Sequence, residues 1–224
     1  MDIGKAFSYV FDDEDWFTKV LIGGLLGLIP IIGTLLNCGY MVELIKNVID
    51  EVPSPLPKWD DWGGKLVKGL VLFVIGLVYF LPLILVWICF GGGVAMIGTQ
   101  WRELADTLGA IVGVCLGGLG LLYSLVVYVI LPAAIARYAD TKEVNAALRF
   151  GEVVDLVKAN FGAYLIVLLL TLVAGIIGSL GTIACFIGAL FTMFYAMLIV
   201  GHLYGQAYRL SRASTAQHEE GNRS

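Results

Sequence analysis

Long apolar runs separated by short polar stretches dominate this sequence. A helix needs about 20 apolar residues to cross a bilayer, and each run reaches or approaches that length. The pattern predicts an all-α, polytopic membrane protein with about five to six membrane segments. The runs cover residues 20–49, 66–98, 108–136, 161–180 and 182–208.

The first run permits two interpretations. Its thirty residues are long for one span and short for two. Pro30 removes a backbone donor and Gly33 follows it closely, so the run is either one kinked helix or a short hairpin that turns near these residues. A hairpin that returns to the same side requires a turn buried in protein.

Two shorter segments have apolar residues on one helical face and polar residues opposite. This pattern is typical of amphipathic helices that lie in the membrane interface. We therefore expect two interfacial helices beside the spans. Their apolar faces are Ile3, Phe7, Val10 and Phe11 in the first segment, and Phe150, Val153, Val154, Val157 and Phe161 in the second.

A polar lead followed by an apolar run occurs three times. The recurrence predicts a single membrane domain over residues 1–210 with a weak internal repeat, whose units start near residues 3, 58 and 149. Residues 211–224 are polar and are expected to form a disordered tail.

The sequence Asp-Trp-x-x-Lys occurs twice just before an apolar run, at residues 15–19 and 61–65. Tryptophan is enriched where headgroups meet acyl chains, and a lysine there can extend its ammonium group to the headgroups. We therefore expect both copies to anchor the chain at the membrane surface. The expected anchors are Trp16, Lys19, Trp59, Trp62 and Lys65.

Composition supports the membrane assignment. The chain is 59% hydrophobic and 14% charged, with a mean hydropathy of +0.89, whereas soluble domains average about 45–50% and 25%. The net charge of −4 makes nucleic acid an unexpected partner. The expected partners are the lipid bilayer and either further copies of this chain or another membrane protein.

Basic residues indicate which polar segments face the cytoplasm. Loops 46–68 and 137–160 carry four Lys or Arg each, and the C-terminal segment carries three, so all three are expected in the cytoplasm of a prokaryotic cell. A single span over residues 20–49 would divide the basic residues 11 to 3, whereas a hairpin would divide them 13 to 1. The charges therefore favour the hairpin and a cytoplasmic N-terminus at the plasma membrane.

Several short elements together resemble a known family. They are the acidic, tryptophan-containing lead at 11–19, Gly23-Gly24, Leu28-Ile29-Pro30, Gly39-Tyr40, Leu-Pro-Lys-Trp-Asp-Asp-Trp at 56–62, Gly69, and the step Tyr79-x-Leu81-Pro82. From Met1 to about Arg212 the chain resembles the uncharacterised membrane family filed as domain of unknown function 4013, found in archaea and bacteria. The resemblance implies an integral membrane protein and adds no substrate or catalytic residue.

Few residues carry candidate chemistry. The acidic residues 12–15 lack the spaced carboxylates of a calcium loop, so a solvated helix end is favoured over a cation site. His202 could ligate a haem or chlorin, but a packed histidine bonded to a neighbouring helix is favoured. Glu43 and Lys46 are spaced for a local ion pair, and Asn37 needs a partner in lipid. No cofactor, metal or catalytic motif is expected, and the four cysteines are expected to be small buried side chains.

Glycine is the strongest remaining signal, with 28 residues mostly in apolar runs. Small residues let helix backbones approach closely in lipid. The glycines favour a non-enzymatic assembly or accessory subunit that forms oligomers. A passive channel or transporter for a small neutral or apolar solute is the alternative, because proline and glycine interrupt the runs. The expected packing positions are Gly23, Gly27, Gly109, Gly113, Gly117, Gly201 and Gly205.

Overall fold

The computed structural model describes residues 1–98, 102–181 and 185–221, and all regular secondary structure within these ranges is helical. The helical membrane fold expected from the apolar runs is confirmed. A 3₁₀ turn, Tyr9–Asp12, joins the first two helices. The helices are α1 Ile3–Ser8, α2 Trp16–Leu26, α3 Ile32–Ile49, α4 Trp62–Gly98, α5 Arg102–Thr141, α6 Val144–Leu148, α7 Phe150–Ala159, α8 Phe161–Leu180 and α9 Cys185–Gly221.

Four of the described helices contain stretches long and apolar enough to cross a membrane. α4 and α5 have 37 and 40 residues, which corresponds to about 55 and 60 Å, well beyond the roughly 30 Å of a hydrocarbon core. Each contains an internal proline, Pro82 or Pro132. The candidate spans are Trp62–Phe90, Gly109–Thr141, Phe161–Leu180 and Gly188–Thr215.

The first apolar run forms two helices. α2 ends at Leu26 because Pro30 disfavours a helical conformation in the residue before it. Asn37 Nδ2 donates to the Gly23 carbonyl at 3.0 Å, so α2 and α3 lie antiparallel as a hairpin. The turn is not buried within the chain: Ile31 is 75% exposed, with φ 68° and ψ −70°. This is the strained γ-turn region, which costs about 1–3 kcal/mol.

α9 is the central helix. It packs against α1, α2, α3, α5, α7 and α8. Its contact with α3 is close because two of its glycines face aliphatic side chains: a Cβ at Gly201 would lie 3.1 Å from Leu44, and one at Gly205 would lie 2.7 Å from Val48. The hairpin is therefore packed along the middle of the molecule.

α3 and α4 approach even more closely, through Gly39 and Gly69. A Cβ at Gly39 would overlap the carbonyl oxygen of Lys65, and one at Gly69 would overlap that of Leu35. The two backbones are thus in direct contact. Neither glycine was among the packing positions expected from the sequence.

The polar segments gather at one end of the molecule. Asp2 N donates to Gln206 Oε1 at 2.7 Å, which places the N-terminus beside the last turns of α9. Asp140, at the end of α5, pairs with Lys46 at 3.2 Å and with Arg212 at 2.7 Å. We call this the polar end. It comprises residues 1–19, 46–68, 137–160 and 206–215.

α3 ends in a Schellman motif that redirects the chain. Val52 N donates to Asn47 O at 2.9 Å and Glu51 N donates to Val48 O at 3.3 Å. Glu51 has φ 58°, the left-handed conformation that this motif requires and that glycine usually supplies. The chain therefore turns back across the open end of the hairpin.

The structure differs from the expectation at the C-terminus. α9 continues to Gly221, so residues 211–221 are helical rather than disordered, and Ser211 is buried. Residues 222–224 lie outside the described residues. Near the N-terminus Ala6, Tyr9 and Val10 are buried within the chain, whereas Ile3 and Phe11 of the expected apolar face are exposed. That this face lies in the membrane interface stays a prediction.

Candidate functional site at the polar end

The segment 50–61, here called the connector, crosses the open end of the hairpin. A proline-rich chain makes no internal hydrogen bonds, so its carbonyl groups need donors from elsewhere. Side chains of α2 and α3 supply them, which fixes the connector to the hairpin. The bonds are Lys19 Nζ to Leu56 O at 3.3 Å, Tyr40 OH to Pro57 O at 2.9 Å, and Asn47 Nδ2 to Pro55 O at 2.9 Å.

Beneath the connector lies a buried ion pair. Lys19 Nζ is 2.9 and 2.7 Å from the two carboxylate oxygens of Asp13, and the two side chains are 11% and 7% exposed. Ser54 Oγ donates to Asp13 at 2.7 Å. Burial tends to raise the pKa of Asp13, but the bonds from Lys19, Ser54 and the Asp15 N–H hold it below its ordinary value. The Asp13 carboxyl group is therefore ionised at neutral pH.

A second buried lysine lies at the start of α4. Lys65 is 1% exposed, and its Nζ lies 2.7 Å from Glu43 Oε2 and 3.5 Å from Asp60 Oδ1. The Glu43 contact is an ion pair outside hydrogen-bonding geometry, since the ammonium group has no hydrogen-bond partner among the described residues. Lys68 donates to the other oxygen of Glu43 at 2.6 Å. Glu43 thus joins two cations of α4 to α3.

Stacked aromatic rings separate these two ion pairs. Trp59 stacks on Tyr40 at 4.4 Å between ring centroids, and on Trp62 at 5.4 Å. The Trp59 indole N–H donates to Lys19 O at 3.0 Å. Trp16 is half-buried, with its ring 5.0 Å from that of Phe11. Among the expected tryptophan anchors, only Trp62 is classed as exposed.

The expectation that Lys19 and Lys65 extend to headgroups does not fit this arrangement. Both ammonium groups are buried against carboxylates: Lys19 against Asp13 of the same acidic lead, and Lys65 against Glu43 of α3. The expected pairing of Glu43 with Lys46 is also corrected: Lys46 pairs with Asp50 at 2.6 Å and with Asp140. The Lys46–Asp50 pair is itself local, at i, i+4, whereas the contacts of Lys46 with Asp140 and of Lys65 with Glu43 join residues distant in the sequence and are set by tertiary packing.

His202 is packed in α9 beneath the N-terminal segment. It is 4% exposed, and the ring of Tyr9 stacks on it at 4.3 Å. Asp2 N and O bond to the Gln206 side chain and fix its amide orientation, so Gln206 Nε2 donates to His202 Nδ1 at 3.0 Å. The ring proton then belongs on Nε2. The hydrogen bond lies within α9, and the contact with a neighbouring element is the Tyr9 ring.

The residues named in the sequence as possible ion ligands are dispersed. In the acidic lead, Asp13 points inward while Asp12, Glu14 and Asp15 are exposed. Among the described residues, no three His, Cys, Asp or Glu side chains converge in a metal-binding group. Cys89 and Cys115 are exposed rather than buried, and Cys38 is half-buried. Asn37 has one oxygen without a partner in the described part of the chain.

The expected packing glycines fall into two groups. Gly23, Gly27, Gly201 and Gly205 face neighbouring helices; a Cβ at Gly23 would overlap the Phe194 ring, and one at Gly27 would lie 3.1 Å from Leu190. By contrast, no described atom lies within 4 Å of a Cβ at Gly113 or Gly117. Gly109 is half-buried on the same helix.

A family model described as a protein of unknown function, DUF4013, matches residues 22–187, about three-quarters of the chain. The chain belongs to the DUF4013 family. No curated protein and no solved structure matches it. The matched range of this DUF4013 protein contains the Leu-Pro-Lys-Trp-Asp-Asp-Trp element of the connector but begins after the acidic lead at 11–19. The family expected from the sequence is therefore confirmed, and the family model matches a shorter range than the expected Met1 to about Arg212.

Proposed function

We propose that this DUF4013 protein is a non-enzymatic subunit that assembles with further copies of itself, or with another membrane protein, in a prokaryotic plasma membrane. Its polar end faces the cytoplasm. Loops 46–68 and 137–160 support this orientation, because they carry eight of the fourteen basic residues and basic loops are retained in the cytoplasm.

The observation that carries the assembly proposal is the glycine ridge of α5. Gly113 is exposed, Gly117 is half-buried, and a Cβ at either would meet no described atom within 4 Å. Lipid can cover an apolar face of any shape, so exposed Leu and Val side chains do not point to a partner. A small-xxx-small ridge permits close backbone contact, which gives helix association in lipid its packing energy. We assign to this ridge a close contact with a helix of a second chain.

Native mass spectrometry of the protein in nanodiscs or mild detergent tests the assembly. We expect the wild type to form oligomers and the double variant Gly113→Leu/Gly117→Leu to associate about tenfold more weakly, since tenfold corresponds to about 1.4 kcal/mol of lost packing. Gly175→Leu is the matched control, because Gly175 on α8 is also exposed with open space around it. A wild type that stays monomeric at every concentration would contradict self-assembly.

A passive channel or transporter for a small neutral or apolar solute is the second candidate. The break at residues 27–31 favours it, because discontinuous helices often line substrate sites in transporters. A cavity of about 770 Å³ at the polar end, bordered by His202 and Gln206, could form one mouth of such a path.

Solute flux into sealed vesicles separates the two candidates. A passive path predicts glycerol or urea entry faster than in protein-free vesicles, with entry slowed by Gly205→Leu, which would displace Val48 beside the cavity. Flux equal to that of protein-free vesicles for every solute tried would exclude this candidate and leave the assembly role.

A further inference from the structure

A separate cavity of about 410 Å³ opens at the polar end between α3, the connector, the first turns of α4 and the end of α5. Its lining contains four lysines and two acidic residues, so it is two charges more positive than negative. The charged residues are Lys46, Lys58, Lys68, Lys142, Glu43 and Asp60.

Two of the four ammonium groups have carboxylate partners and two do not. Lys68 is 2.6 Å from Glu43, and Lys46 is 2.6 Å from Asp50. Lys58 and Lys142 are exposed and form no ion pair within the described part of the chain. The cavity therefore has an unneutralised positive charge at its mouth.

The backbone holds these two cations in place. Lys142 has φ 61°, and its N–H donates to Tyr138 O at 2.8 Å, which closes the end of α5. Lys58 follows Pro57, whose carbonyl accepts the Tyr40 hydroxyl at 2.9 Å. Each lysine thus projects from a fixed backbone position, Lys58 on the connector and Lys142 at the end of α5.

The cavity also lies where a membrane surface would be. Lys68 belongs to the candidate span Trp62–Phe90, and Lys142 directly follows the candidate span Gly109–Thr141. Trp62, at the start of α4, is exposed, and tryptophan is enriched at headgroup level. The lining also includes the buried residues Val42, Tyr138 and Ala139. A charged mouth above an apolar wall suits a ligand with a phosphate and a hydrocarbon part.

We propose that this cavity binds a phosphate-bearing anion, and that its source is the phosphodiester headgroup of an anionic phospholipid. Basic pockets between membrane helices on the cytoplasmic side bind such headgroups, and lysine binds phosphate as a point charge. Lys58 and Lys142 contact the phosphate oxygens, while Lys46 and Lys68 are held by their carboxylate partners. This inference does not depend on the proposed assembly role.

The test uses the full chain in phosphatidylcholine nanodiscs with graded amounts of phosphatidylglycerol, and counts retained lipid by native mass spectrometry. The wild type should retain phosphatidylglycerol preferentially. Lys58→Gln/Lys142→Gln should weaken that retention about tenfold or more, because each lysine near an anionic surface contributes on the order of a fivefold change. Both side chains are exposed, so the variant should unfold at the same denaturant concentration as the wild type.

Arg149→Gln/Lys158→Gln is the control, since it removes the same charge from exposed positions just before α7 and in its last turn, outside the cavity. Its retention should stay within about twofold of the wild type, because Arg149 and Lys158 already have local carboxylate partners, Glu152 and Asp155, and do not line the cavity. A parallel titration with inorganic phosphate in pure phosphatidylcholine separates the two sources: phosphate binding lost in the cavity variant, without lipid preference, identifies a soluble phosphate. Equal behaviour of the cavity variant and the control in both assays would overturn the proposal.

Discussion

The buried carboxylate of Asp13 and the ammonium group of Lys19 tie three separate segments together. Asp13 precedes α2, Lys19 lies in it, and both also bond to the connector through Ser54 and Leu56. An ion loses several kcal/mol of hydration when it is buried, so each charge is stable there only while the other is present. The pair is therefore one of the contacts that hold the connector on the hairpin, beside the bonds from Tyr40 and Asn47.

Asp13→Asn should destabilise the protein by about 3–5 kcal/mol, because it leaves the Lys19 charge buried without a counterion. Denaturant titration in detergent micelles, followed by tryptophan fluorescence, measures this loss. Asp155→Asn, at a well-exposed position on α7, should change stability by no more than about 0.5 kcal/mol. Equal effects of the two substitutions would show that the Asp13 pair contributes no more than a surface charge.

The same pair gives a pH dependence of defined sign. The folded pKa of Asp13 is lowered, so its stabilisation is complete above the unfolded pKa of about 3.9 and is lost as pH falls through the folded value. The free energy of unfolding of the wild type should fall on acidification in that range. The Asp13→Asn variant should lack the part of this decrease that comes from Asp13, whereas the Asp155→Asn variant should retain it.

At the level of whole elements, the hairpin of α2 and α3 is short and closely packed. α2 has 11 residues, about 16 Å, which is half the hydrocarbon thickness. Its turn is exposed and strained at Ile31, and irregular backbone is not stable when it faces lipid. We infer that the turn is covered by another chain or lies outside the hydrocarbon, and the first alternative agrees with the proposed assembly.

Gly39→Ala and Gly69→Ala should each destabilise the protein by about 1–3 kcal/mol, because the added methyl group overlaps the main chain of the facing helix and forces α3 and α4 apart. Gly151→Ala on α7 is the control. Its methyl group meets open space, so it should be neutral or stabilise by up to about 1 kcal/mol through helix propensity. Unfolding midpoints in one detergent compare the three, and a harmless Gly39→Ala would mean that the helices are not in direct contact.

A feature could be predicted from the sequence when the residues that cause it lie close together along the chain. The break after α2 could be predicted, because Pro30 disfavours a continuous helix and the distribution of basic residues favours a hairpin. The close contact of Gly39 with α4 could not be predicted. Each of the two helices contributes a single glycine to it, and neither glycine has a second one four residues away. The buried lysines were misjudged because spacing does not show which carboxylate turns inward. Glu43 reaches Lys65 from another helix, and Asp13 lies six residues before Lys19, which is not a helical pairing distance. The tail was misjudged because polar composition alone does not show that Ser211 packs against the protein.

For the whole molecule, the arrangement of ends limits the possible topologies. Asp2 bonds to Gln206, and Asp140 pairs with both Lys46 and Arg212, so the N-terminus, both basic loops and the later part of α9 share one end. A chain whose first run crossed the bilayer once would place the N-terminus at the opposite end. The fold therefore agrees with the hairpin that the basic residues favoured, while the side of the membrane remains part of the proposal.

Labelling of single cysteines in sealed, oriented vesicles decides the topology. In a variant whose four native cysteines are replaced by alanine, Lys5→Cys and Lys158→Cys should react with a membrane-impermeant maleimide from the cytoplasmic side alone. Leu180→Cys, exposed at the far end of α8, should react from the opposite side alone. If position 5 labels together with position 180, the first run spans the membrane and the polar end cannot be assembled as described. If all three positions label as expected but from reversed sides, the fold stands and the cytoplasmic assignment of the basic loops fails.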